Sequence, residues 1–185
     1  MADRWPSTIK DYLTQMVEFT TACHIANKIQ GKFKYCSIED FILANGRAYR
    51  NQPLPKDIKL RKLGECFKNA YYLAMMRPEL TYVEGIVWNI IPMLHAWCVD
   101  KDGNVFDNTW GRNHKRENSK HKDFDPNREY FGVPFQMQYI DRTLYSKRTY
   151  GIIDNWKDGF PLLSGKDDIS TGKIVVNDSL QVASA

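Results

Sequence analysis

The chain has 185 residues, 13% of them aromatic, and a formal net charge of +4. That is enough for one domain with a real core. The composition does not read as disordered, and so small a basic excess does not by itself mark a nucleic-acid binder.

The four cysteines, Cys23, Cys36, Cys66 and Cys98, form no C-x-x-C pair, which argues against a zinc ribbon or a thioredoxin-type site. The opening "MADRWPSTIKDYL" lacks the apolar core and cleavage site of a signal peptide. No run of about 18 apolar residues is present to span a membrane. A cytoplasmic protein with reduced thiols and no membrane contact is expected.

In chain order, Pro6-Ser7 opens a long amphipathic helix running to about residue 30. Tyr12, Met16, Phe19, Cys23 and Ala26 recur at helical spacing, and Gly31 stops it. "SIEDFILANG" reads as a short second helix, with Ser37 and Asp40 as a capping pair and Gly46 as its end. The prolines in "RNQPLPKDIKL" make that stretch a loop. The third helix is "LGECFKNAYYLAMM", broken before by Gly64 and ended at Arg77-Pro78.

From there the pattern changes to strands. "LTYVEGIVW" and "LHAWCVD" are rich in β-branched and aromatic residues, and "NVFDNTW" returns against the latter across "KDGN". Residues 111–129 are polar, without a period, and read as a surface loop. "YFGVPFQMQYIDRTLYSK" reads as a short strand and a helix. The expected organisation is one α+β domain over 1–163 and a polar, disordered C-terminal tail over 164–185.

The chemistry-bearing residues lie on the third helix and the hairpin. Cys66 falls at a helix start, where the dipole favours a negative charge. His95 can exchange a proton with such a thiol, and a carboxylate or amide on its other nitrogen fixes the ring. Hairpin parity decides which residue that is. A two-residue Asp102-Gly103 loop puts Asn108 on the histidine's face. An odd loop, such as Asp102-Gly103-Asn104, puts Asp107 there. The pattern alone leaves both open. Cys98, three residues from His95, faces the other way and belongs to the core.

The segment "GECFKNAYYLAMM … YVEGIVW … HAWCVDKDGNVFDNTW", about a quarter of the chain, resembles the transglutaminase-like branch of the papain-like cysteine superfamily. The match lies in a G-x-C helix start, an apolar strand with a glycine, H-A-W on a strand and D-x-T on the next. The flanking "EYFGVPF" and "YGIIDNW" resemble parts of small phage and bacterial proteins with this core. The resemblance implies a nucleophile-bearing helix packed on an antiparallel sheet. It makes Cys66 the nucleophile, His95 the general base and acid, and Asp107 the orienting residue. The implied function is a cysteine peptidase, amidase or acyltransferase acting on a protein, peptide or small amide. No metal or organic cofactor is required. The Cys66 N–H stands where half of an oxyanion hole is needed.

Asn69, one turn from Cys66, and Trp97 and Trp110, beside His95 and Asp107, are candidates for the substrate-binding wall. Glu84 is expected to be structural or solvated. Cys23-His24 lacks companion ligands for a metal. The rival reading is a non-catalytic protein on the same fold. It would contact a protein or nucleic acid through the basic 111–129 loop, with His114, His121, Arg112, Lys115, Arg116, Lys120, Lys122 and Arg128.

Overall fold

The Thr8 hydroxyl accepts the Asp11 N–H at 3.1 Å, satisfying a donor that a helix start leaves open. The computed structural model describes residues 6–27, 31, 33–88, 91–110 and 125–167. The first helix, α1, spans Ile9–Ala26. Only its first half is anchored: Ile9 and Leu13 are buried, whereas Phe19 and Ile25 are exposed. The expected apolar stripe is thus half-buried at Tyr12, Met16 and Cys23 and open to solvent at Phe19 and Ala26.

Helix α2, Ile38–Asn45, has the expected cap. The Ser37 hydroxyl accepts the Asp40 N–H, and the Asp40 carboxylate accepts the Cys36 N–H. A short strand, β1 (Arg47–Tyr49), follows in a place where the sequence shows no strand signal. Helix α3 spans Cys66–Met76, so Cys66 is its first residue. Then come β2 (Thr81–Trp88), β3 (Pro92–Val99), β4 (Val105–Phe106), β5 (Glu129–Phe135), α4 (Met137–Lys147) and α5 (Pro161–Ser164).

The five strands form one sheet in the order β1-β5-β2-β3-β4, and every pairing is antiparallel. Strand β5 therefore returns to lie between β1 and β2. Pro134 fits there because β1 pairs only with residues 130–132, so no neighbour on that side needs its missing N–H. The sheet curls until its edges meet. The Arg50 N–H donates to Gly103 O and the Val105 N–H to Arg50 O, each at 2.9 Å. Closing the edges leaves fewer unpaired backbone groups to recruit another chain.

Alternation along the strands separates two cores. One face carries Tyr82, Ile86, Ala96, Cys98, Val133 and Phe135 and packs under the helices. The other, inside the curl, carries Tyr49, Val83, Val87, Trp97, Val99, Val105 and Tyr130. Gly85 pairs with Gly132 where β2 and β5 run side by side. A Cβ on Gly85 would lie 2.2 Å from Phe131 O, and one on Gly132 would lie 2.8 Å from the Trp97 ring. The molecule is therefore an α+β protein with helices on the outer face of a curled antiparallel sheet.

Glu84 is fully buried and structural. It accepts the Tyr82 hydroxyl at 2.6 Å and the N–H groups of Ile152 and Ile153 at 2.7 and 3.0 Å. This ties the segment after α4 back to β2. Further on, Asp167 accepts the Tyr139 hydroxyl at 2.7 Å and pairs with Arg142. Residues 164–167 thus rest on the domain, and 168–185 lie outside the described residues.

Replacing Gly85 by alanine drives a methyl group into backbone that cannot turn aside. We expect a loss of about 3 kcal/mol or more in chemical denaturation, at the upper end of overpacking penalties. A loss below about 1 kcal/mol would mean the strands can separate there.

Candidate active site

The β3–β4 connection settles the parity question. Val99 pairs with Val105 and Cys98 with Phe106, so the connecting loop is Lys101-Asp102-Gly103. It is odd in length and begins one residue earlier than the three-residue loop considered above. Gly103 takes a positive φ of 78°, which glycine adopts without strain. The Asp100 carboxylate accepts the N–H groups of Asp102 and Asn104 and holds the turn. Asp107 consequently falls on the face of His95 and Trp97.

Strand β4 is shorter than the sequence suggests, because Asp107 captures its own downstream backbone. Its Oδ1 accepts the N–H groups of Thr109 and Trp110 at 2.8 and 3.0 Å. That side-chain turn replaces the strand ladder. Its Oδ2 accepts from His95 Nε2 at 3.0 Å and from the Tyr130 hydroxyl at 2.9 Å. The carboxylate is 1% exposed and has four donors. Asn108 points elsewhere, its amide donating to the backbone O of Asn69 at 3.0 Å.

His95 is equally buried. One face of its ring stacks on Trp110, with centroids 4.1 Å apart and planes within 8°. Because Nε2 is engaged by Asp107, Nδ1 is the ring nitrogen left for another partner. The Cys66 thiol lies close enough to the ring to add to its proton affinity. Burial disfavours the charged imidazole, but Asp107 and Cys66 together outweigh it and raise His95 from 6.5 to about 9. Burial also penalises the Asp107 anion, yet the His95 charge and the hydrogen bonds from His95, Trp110 and Thr109 hold it below the usual carboxylate range. Cys66, half-buried, thus meets a positively charged ring at neutral pH.

Asn69, Trp97 and Trp110, the candidates for the substrate-binding wall, differ in the surface they offer: the first two are buried and the third is half-buried. Asn69 is buried, and its amide donates to Lys62 O and to Thr109 Oγ1, at 2.8 and 3.0 Å. With the Asn108 bond it laces the first turns of α3 to the turn that holds Asp107. Trp97 is wholly buried inside the curl, edge-on to Tyr49 and Tyr130. Trp110 is half-buried and covers His95. Cys98 sits in the outer core, donating to Ala70 O at 3.2 Å, and burial pushes its thiol well up.

Two residues of this site escape the sequence reading. Tyr130 reaches Asp107 from β5. Arg128, counted above with the exposed basic loop, is only 2% exposed. Its guanidinium lies 5.6 Å from the Trp110 ring and donates to Trp110 O at 3.2 Å. Residues 111–124, including His114 and His121, lie outside the described residues. Further along α3, a groove of about 600 Å³ is lined by Tyr71, Tyr72, Met75, Tyr145 and Tyr150, among others, and by none of Cys66, His95 and Asp107.

No protein-family model, curated protein or solved structure matches this chain. Among the described residues, no group of three or more His, Cys, Asp or Glu side chains is placed to hold a metal, and no helix is long and apolar enough to cross a membrane.

The pairing has a pH signature. His95 is raised above its unfolded value, so its contribution to stability is complete below about pH 6.5 and lost as pH rises through about 9. We expect the melting-temperature advantage of the wild type over His95→Phe to be largest near pH 6 and to shrink steadily towards pH 9. A constant difference across that range would show that His95 titrates normally.

Proposed function

We propose that this protein is a thiol-dependent hydrolase or acyltransferase acting on an amide or related acyl bond. The observation that carries this reading is the convergence of Cys66, His95 and Asp107 from α3, β3 and the end of β4. The imidazole is held by a buried carboxylate on one nitrogen and acted on by a half-buried thiol at a helix start. A core histidine serving only to pack would have no use for a thiol acting on its ring.

The chemistry follows from those positions. The proton rests on His95, and the reacting sulfur is the Cys66 thiolate paired with that imidazolium near the positive end of α3. The sulfur attacks the carbonyl carbon, forming a C–S bond and a tetrahedral oxyanion. As the C–N bond breaks, the imidazolium gives its proton to the leaving amine. Water or an acceptor amine, deprotonated by His95, then attacks the thioester. The C–S bond breaks, giving an acid or a new amide. Asp107 stays ionised throughout and keeps the ring oriented.

The same features support a papain-like, transglutaminase-like core. The nucleophile lies at the start of a helix packed on an antiparallel sheet, the histidine lies on β3, and the aspartate directly follows the adjoining strand β4. The chain order Cys66, His95, Asp107 matches the motif resemblance. Substrates are proteins, peptides or small amides, with the tyrosine-lined groove along α3 as a surface for the substrate flanking the bond. The rival reading, binding through the 111–129 loop, is weakened at one position because Arg128 is buried.

The test is the alkylation rate of each cysteine by iodoacetamide against pH, read by peptide mass mapping. Near pH 6 an ordinary thiol is almost wholly protonated, so rapid modification of Cys66 alone is the expected result. His95→Ala should slow it on the order of 10- to 100-fold at that pH. Cys66 reacting no faster than Cys23 and Cys36 at every pH would sink the reading.

A further inference from the structure

The Asp107 carboxylate is not reserved for His95. Its Oδ2 is shared between His95 Nε2 and the Tyr130 hydroxyl, at 3.0 and 2.9 Å. The Tyr130 oxygen in turn accepts from Arg128 Nη1 at 3.4 Å. Arg128 also donates to Trp110 O and lies over the indole ring that stacks on His95. A continuous line of contacts therefore runs from Arg128 through Tyr130 and Asp107 to His95.

Arg128 is unusual as a packing residue. It is buried, and among the described residues its Nε and Nη2 have no hydrogen-bond partner. Burying a guanidinium without filling its donors costs stability, and an apolar side chain of similar volume avoids that cost. A buried positive charge at this position makes sense through its field on the neighbouring groups.

Two donors on one carboxylate oxygen each receive less of its charge. A positive charge nearby also makes a further proton on the imidazole less favourable. A general acid must release its proton when the leaving group departs, and it does so best when its affinity lies near the working pH. An unshared buried aspartate would hold the imidazolium too firmly.

We propose that Tyr130 and Arg128 are positioning residues for the Cys66–His95 pair. By sharing the Asp107 carboxylate and placing a second positive charge behind it, they loosen its hold on the imidazole proton. The inference rests on the thiol-enzyme reading above. Among the described residues, the groups facing His95 are Cys66 from α3, Asp107 from the turn after β4, and Tyr130 and Arg128 beyond it. The Cys98 thiol of β3 and the Tyr82 hydroxyl of β2, turned to Glu84, are buried and stay neutral.

The experiment is an NMR titration of ¹⁵N-histidine in the full-length chain carrying Cys66→Ser, which removes the thiol's own proton. The His95 signal is assigned by its loss in His95→Gln. Tyr130→Phe keeps the ring and removes only the hydroxyl. We expect the His95 midpoint to rise by about half a unit or more in Tyr130→Phe and in Arg128→Met. Arg128→Lys, which keeps the charge, should stay near the parent.

A midpoint that stays put or falls in a folded Tyr130→Phe protein overturns the proposal. Tyr130→Phe decides the matter alone if Arg128→Met does not fold. A purely structural role would lower the melting temperature and leave the titration unmoved. The measurement needs no turnover, so it can fail while Cys66 proves reactive and succeed where Cys66 proves inert.

Discussion

A buried carboxylate must be hydrogen-bonded, and much of this structure is arranged around satisfying one. Asp107 lies in the interior with two donors on each oxygen. Left unsatisfied there, the group would cost several kcal/mol or take up a proton. Its four donors come from three places: a histidine on β3, a tyrosine on β5 and the backbone of its own turn. Meeting that requirement ends β4 after two residues, brings β5 within reach of the β3–β4 hairpin and fixes the plane of the imidazole.

The early end of β4 has a second effect. Before Cys98, β3 has no partner strand on that side among the described residues, and the first turns of α3 are tied to the turn that follows β4. Asn69, Asn108 and Thr109 make that tie. The thiol at the start of α3 is thereby brought to the histidine, although the helix itself packs on the opposite face of the sheet. A deeply buried imidazole and a half-buried sulfur follow from this placement. The imidazole is covered on one face by Trp110, while Cys66 stays partly exposed.

The sequence carries this site unevenly. The three helices and the strands β2 and β3 are visible because their apolar periods are long and their ends are marked by Ser37, Gly46, Gly64 and Pro78. Strand β1 is invisible because three residues show no period, and its pairing depends on β5, some 80 residues away. Cys66 and His95 stand out by chemistry, but the choice between Asp107 and Asn108 turned on the loop length, which pattern cannot supply. Tyr130 and Arg128 were hidden for a different reason. Their roles depend on β5 lying between β1 and β2, and an arginine at the end of a polar stretch looks like any solvated charge. Asn69 was noticed for its nearness to Cys66, yet nothing in the chain revealed that its amide is occupied.

The connection over Lys101–Gly103 also works as a reading frame. Side chains beyond it alternate between two faces, so its length determines which of two adjacent residues meets the imidazole. Adding or removing one residue would exchange the carboxylate of Asp107 for the amide of Asn108 without altering either side chain. A second such change would restore the original partner. The ionic character of the site is therefore encoded in the spacing of a solvent-facing turn as much as in the residues that line it, and length changes there act as electrostatic substitutions in the interior.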